Sequence, residues 1–335
     1  MHRSQPYYVK QSGIGIVCQK RINTIIYYLF PKCAFEISDL QVLPQPELSN
    51  ILSPSQYHYM NEIKKRISEC DSGRWKKISV NPYSNINETS RINKVHIPFY
   101  EILEIYSIMR LSSWKNFYKL NTLHFGADAD MTIRAFRYIR NFSKQDSSFL
   151  LSPGEPFPSK DNVHIDVAFC QASGENEYEN AISILKQILV VLAVQKQKGV
   201  CIIKLGDTFT TLSLDILTLV SHFYEKTHIM KPSITDLTNC EKYIICKNFV
   251  YEKIDPSVLG AFSTLYTNLT PNTNINRIWK SNPTLFISGK LEEINSIFGQ
   301  PRLEYIHQLL SQSDRNENVK SNKQKCAEWC SKYLI

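Results

Sequence analysis

The chain has 335 residues, 43% hydrophobic and 21% charged, a composition that supports one large core or two and excludes disorder throughout. Lysine and arginine outnumber aspartate and glutamate by 39 to 31, and the net charge of +8 permits a nucleic-acid partner without requiring one. The longest apolar run, Ile188 to Val194, is too short to span a membrane, and nine cysteines without CxxC pairs argue against a disulfide framework or a zinc ribbon.

Those scattered thiols fit a reducing interior. The N-terminal MHRSQPYYVKQSG has no apolar segment behind its early charge, so cytoplasmic placement is expected. Next, GIGIVCQKRINTIIYYLF reads as two β-rich runs around a polar turn at Gln19 to Asn23. Ser53 and Pro54 open a helix with Ser53 as its cap and Met60, Ile63 and Ile67 as its apolar stripe. Asp71 to Asn93 reads as polar and irregular. Pro98 opens a second helix, with Ile102, Ile105, Ile108 and Met109 at helical spacing.

From Leu120 strands and helices alternate. Strands are expected at Thr122–Phe125, Val163–Phe169, Val200–Lys204, Thr227–Met230 and Lys242–Cys246. Helices are expected at Met131–Ile139, at Asn176–Lys198 ended by Gly199, and at Leu212–Tyr224. The alternation predicts an α/β fold, a parallel sheet with helices on both faces. In such a sheet ligands bind outside the carboxyl ends of the strands, where Gly126, Cys170 with Gln171, and Lys204 fall. Beyond Asn248 the chain turns helical again, with Asp255 as a cap and further helices at Leu303–Leu310 and Cys326–Leu334. The expected organisation is an N-terminal extension over 1–80, a core over 81–255 and a helical C-terminal extension over 256–335.

The segment VCIIKLGD, a helix, and then THIMKPSITDLTNCEKYIICKNF resembles the FtsJ-type ribose 2′-O-methyltransferases, especially the mRNA-cap enzymes of large DNA viruses and eukaryotes. The resemblance implies a Rossmann-like methyltransferase sheet, S-adenosylmethionine as cofactor, capped mRNA or an RNA-processing protein as partner, and a Lys-Asp-Lys-Glu tetrad. A viral member would work in the host cytoplasm or the virion. Lys204, at the end of its strand, matches the catalytic lysine; Lys231-Pro232 matches the pair after the next strand; Glu241 matches the catalytic glutamate. A ribose hydroxyl is a poor nucleophile, and a lysine serves as its base only where its pKa is lowered.

Other positions depart from the pattern. Asp166-Val167-Ala168-Phe169-Cys170-Gln171 puts Gln171 where the tetrad's aspartate belongs, and glutamine cannot offset a lysine's charge. The first tetrad lysine is matched either by Lys94, behind Ser90-Arg91, or by Glu101 in the more helix-like FYEIL. The cofactor loop reads His124-Phe125-Gly126-Ala127-Asp128-Ala129-Asp130, with a single glycine. Gly126 and Asp128 are its cofactor candidates, and Glu155 the candidate for holding the ribose. Only 32 residues separate Asp130 from Val163, so the second and third strands of the sheet are expected to be shortened or absent. Asp236 stands where viral members carry a basic residue. No set of four metal ligands emerges from Cys240, Cys246, His222 and His228, and Trp329 reads as a core anchor. Two functions follow from the resemblance: a catalytically degenerate member acting as an RNA-binding, scaffold or regulatory subunit, or an active cap-specific 2′-O-methyltransferase.

Overall fold

A computed structural model describes residues 26–33, 39–44, 51–151, 164–269, 275–311 and 319–334. The first β-rich run and Glu155 lie outside them. The elements in chain order are β1 (Ile26–Phe30), β2 (Leu40–Pro44), α1 (Pro54–Glu69), α2 (Ser72–Ile78), α3 (Ile86–Ser90) and α4 (Ile97–Ile108). There follow β3 (Asn121–His124), α5 (Ala129–Ile139), β4 (Ser147–Leu150), β5 (Ile165–Gln171), α6 (Glu177–Val194), β6 (Gln195–Leu205) and α7 (Thr211–Phe223). The last are β7 (Tyr224–Lys231), β8 (Lys242–Phe249), α8 (Pro256–Asn268), β9 (Ile275–Trp279), α9 (Leu285–Ser311) and α10 (Val319–Tyr333).

Seven strands form one sheet in the order β1-β7-β8-β6-β5-β3-β4. The fold is α/β, but the sheet is mixed rather than parallel. β4, β3, β5 and β6 run parallel, whereas β8 is antiparallel to both β6 and β7, and β1 is antiparallel to β7. The cause is the link from β7 to β8, a loop without a helix; a parallel return would need a crossover. β4 has four residues, and no other strand lies between it and β5 among the described residues.

Alternation along each strand sorts the core into two layers. On β6, Val200 and Ile202 face one way with Val167 and Phe169 of β5, under α4, α5 and α10. Cys201 and Ile203 face the other way with Ala168 and Cys170, under α6, α7 and α8. Each fully buried aliphatic side chain in these layers contributes about 1.5–3 kcal/mol relative to exposure.

Several local expectations are corrected. α6 stops at Val194 because Gln195 is already extended, at φ −68° and ψ 133°, and its amide bonds the carbonyl of Ile165 at 2.9 Å. Gly199 therefore sits inside β6, where the pairing jumps from Ile165–Gln195 to Val167–Val200 and Lys198 takes φ +64°. Ser53 does not cap α1; it adopts the left-handed conformation at φ 59° and makes no side-chain cap bond. The stretch from Asp71 to Asn93 forms two short helices, the first capped by Asp71, whose carboxylate accepts from the Arg74 amide at 2.7 Å.

Segments from both ends of the chain pack on this core. β1 extends the sheet edge, β2 pairs with β9, α1 lies against α9, and α10 lies against α3 and α4. Glu104 of α4, wholly buried, fastens one of these pieces, α10, to the loop after β7. Its carboxylate accepts from the Ser233 amide at 2.6 Å, the Ser233 hydroxyl at 3.0 Å and the Trp329 indole of α10 at 2.7 Å. Burial raises its pKa, and these donors oppose that rise. Glu104→Ala leaves the Ser233 amide and the indole buried without an acceptor, at about 1–3 kcal/mol each. We therefore expect a stability loss of about 3 kcal/mol by urea denaturation, with faster amide exchange at 232–235 and 326–333. A loss under about 0.5 kcal/mol, the range of an ordinary surface change, would refute this anchoring role.

Candidate functional site

The strand ends converge as the register requires. Gln171 ends β5 directly beside Lys204 of β6, and Lys204 faces Tyr243 of β8 on its other side. Strand periodicity sends Lys204 to the same face as Val200 and Ile202, toward α4. There its ammonium meets three carboxylates: Asp128 at 3.0 Å, Glu241 at 3.3 Å and Glu101 at 3.5 Å. The lysine side chain is 10% exposed and that of Glu101 1%, so the pair is shielded from water, whereas Glu241 reaches solvent.

Hydrogen bonds fix each carboxylate. Glu101 accepts from the Tyr243 hydroxyl at 2.6 Å and the Thr235 hydroxyl at 2.5 Å. Glu241 accepts from the Asn239 amide at 3.0 Å. Asp128 accepts from Gln171 Nε2 at 2.9 Å, while Gln171 Oε1 accepts from the Asp128 backbone N–H at 2.7 Å. Burial alone pulls the Lys204 pKa down, but Glu101, Glu241 and Asp128 together push it above its ordinary value. Lys204 is therefore a held cation at neutral pH.

The sequence-derived candidates divide accordingly. Lys204, Glu241 and Gln171 come together. Lys94 does not join them: it is exposed at φ +60°, and its carbonyl accepts from Arg134 at 3.0 Å. Of the two alternatives for the first tetrad position, Glu101 lies in the site, because α4 turns its buried face onto the strand ends. Asp166 is at the opposite end of β5, accepting from the Asn121 amide at 2.9 Å and Lys196 at 3.1 Å. Asp236 caps its own turn through the Thr238 amide at 2.7 Å. Glu104 was not singled out in the sequence; its signal is a second glutamate one helical turn after Glu101, on an otherwise apolar face.

S-adenosylmethionine needs a backbone that a ligand can approach closely. Gly126 has φ +86°, which favours glycine, yet a Cβ built there would stand 2.7 Å from Gln171 Cβ and 2.8 Å from its Oε1. The space above the glycine is thus filled by the glutamine, and Asp128 is turned inward onto Lys204. The recess that Asp128, Gln171, Lys204, Phe125 and Tyr243 line amounts to about 270 Å³ with its open mouth, smaller than most ligand pockets. The described residues of this loop do not fit the cofactor in this arrangement.

Residues 118–249 match the model of the FtsJ-like methyltransferase family. Cap-specific mRNA (nucleoside-2′-O-)-methyltransferase 1 of Leishmania braziliensis is 33% identical over 76 residues, which cover 22% of this chain and 19% of that protein. The protein of the same name from Dictyostelium discoideum is 39% identical over 67 residues, 20% of this chain and 9% of that one. The chain thus spans about a fifth or less of the length of these curated relatives. Human Methyltransferase-like protein 13, solved in complex with SAH, aligns over 56% of this chain and 95% of its own at 10% identity, with a TM-score of 0.28, too low to build on. Over residues 118–249 the chain is thus similar to the FtsJ-like methyltransferase family, and more distantly to cap-specific mRNA (nucleoside-2′-O-)-methyltransferase 1.

Proposed function

We propose that this protein is a catalytically degenerate relative of the cap 2′-O-methyltransferases, an RNA-binding or scaffold subunit whose lysine serves structure rather than chemistry. The observation that carries the reading is the environment of Lys204. A general base must give up its proton near the working pH, and three carboxylates within 3.5 Å hold this one on. A glutamate at the position of the first tetrad lysine removes the neighbouring cation that would favour a neutral amine. Gln171 over Gly126 further supports a closed cofactor loop. RNA as partner rests on the family relationship and the net charge of +8.

The active enzyme remains the second reading, favoured by the 3.3 Å contact of Lys204 with Glu241, the two tetrad positions that keep their residue types. In an active protein, the carboxylates would swing away as the cofactor opened the loop.

Calorimetric titration with S-adenosylmethionine separates the two. We expect no heat of binding at cofactor concentrations up to about 1 mM, an affinity weaker than about 4 kcal/mol. Micromolar binding would refute the degenerate reading.

The state of Lys204 gives a second, independent expectation. Lys204→Met leaves Glu101 buried without its cation, and breaking a buried pair in this way costs about 3–5 kcal/mol. Denaturant unfolding should show that loss, and Lys204→Met combined with Glu101→Gln should recover part of it. The sign of the pH dependence follows from the raised pKa. The stabilisation is complete below the unfolded lysine's value of about 10.4 and is lost only as pH rises through the higher folded value. The difference between wild type and Lys204→Met should therefore be flat from about pH 7 to 9. A difference that widens as pH rises within that range would identify a lowered pKa and the active-site base.

A further inference from the structure

A second recess, about 360 Å³ with its open mouth, is lined in part by Glu241, whose carboxylate contacts Lys204 of the first. It lies where β7 ends, β8 begins and α9 passes, and its cationic lining is Lys231, Lys242 and Arg302. The two lysines are 9% and 6% exposed. Each donates only to neutral oxygens: Lys231 to the Asn239 carbonyl at 2.6 Å and its side-chain oxygen at 3.2 Å, Lys242 to the Gly206 carbonyl at 2.5 Å.

Among the described residues neither ammonium has a carboxylate at ion-pair distance. The two acidic groups lining the recess are engaged elsewhere. Asp207 is held by Lys64 at 3.0 Å and Arg302 at 3.3 Å, and Glu241 by Lys204 at 3.3 Å. Buried charges are ordinarily paired, because an ion removed from water without a counter-ion is strongly disfavoured. Burial first, then Arg302 and Lys242, lower the Lys231 pKa to about 8 against Cys240 and Asp236; burial lowers that of Lys242 against the charges of Asp207, Cys240 and Glu177, which lie beyond ion-pair distance. The bonds to neutral oxygens do not use up the three donors that each ammonium carries.

We propose that this recess binds a terminal phosphate monoester, held by Lys231, Lys242 and Arg302. Two ammonium groups and a planar guanidinium suit a dianion better than a carboxylate. The depth of the lysines admits the end of a ligand rather than a strand passing through. The phosphate comes from an RNA 5′ end or from a free nucleotide. The site stands on the recess itself, and only the choice of RNA as source rests on the function proposed above.

The test is calorimetry on the full chain with four probes: inorganic phosphate, a 5′-mononucleotide, a 5′-phosphorylated octaribonucleotide and the same oligonucleotide with a 5′-hydroxyl. The phosphorylated oligonucleotide should bind about tenfold or more tightly than its hydroxyl counterpart. At pH 8 binding should take up protons, seen as heats that vary with the buffer's ionisation enthalpy, because the anion restores the Lys231 ammonium. Lys231→Met should abolish that proton uptake and weaken binding about a hundredfold. Should that variant not fold, Arg302→Met, measured in the same way, should weaken binding at least tenfold. A mononucleotide that binds as tightly as the phosphorylated oligonucleotide also supports the site and assigns it to free nucleotides. Equal affinity for the two oligonucleotides, no binding by any phosphate, or unchanged binding in the folded variants would overturn the proposal. Because S-adenosylmethionine is absent from every arm, failure here leaves the cofactor titration untouched, and the converse holds.

Discussion

The contact of Lys204 with Glu101, Asp128 and Glu241 sets the form of the whole crevice. It ties α4, the loop after β3 and the start of β8 to the end of β6. One cation among three carboxylates leaves a negative surplus, which the hydroxyls of Tyr243 and Thr235 and the amides of Gln171 and Asn239 absorb. Next to it lies a recess with the opposite imbalance, where Lys231 and Lys242 lack carboxylates. Glu241 borders both. The sheet thus presents two neighbouring sites of opposite charge at its carboxyl ends, one satisfied from within and the other fitted to an external anion.

Much of this was legible in the chain. Period-two runs ending in Lys204 and Gln171 placed both at the carboxyl ends of adjacent strands, and their pairing follows from the parallel register. The Lys-Pro and Glu-x-Tyr spacing located Glu241. What the sequence left open had physical causes. Lys94 precedes α4 whereas Glu101 lies on its buried face, and only the packing of α4 onto the sheet decides which meets the strand ends. Asp128 reads as a cofactor contact in the sequence; a carboxylate two residues beyond the glycine can also fold back, and the lysine opposite attracts it. The unpaired state of Lys231 and Lys242 is invisible in one dimension because it depends on which carboxylates are already taken.

The strand direction of β8 and the true end of α6 show a related limit. Both were misjudged from patterns that are locally sound, alternation for the first and a terminal glycine for the second. In each case a tertiary contact decided: β8 fills the gap between β6 and β7, and Gln195 is drawn to the carbonyl of Ile165. The left-handed Lys198 absorbs the extra residues that result.

The stitching of the two chain ends has a consequence for synthesis. β1 hydrogen-bonds to β7, β2 pairs with β9, and the Tyr28 hydroxyl reaches Glu293 at 3.4 Å across 265 residues of sequence. These early strands leave the ribosome long before their partners exist. The parallel strands and their helices can condense while β1 and β2 wait, with backbone edges open to other chains. Loop closure over such separations makes the last docking steps the slow ones. The interval before β9 and α9 emerge is therefore when the nascent chain is most exposed to mispairing, and when a chaperone that covers strand edges would have the greatest effect on yield.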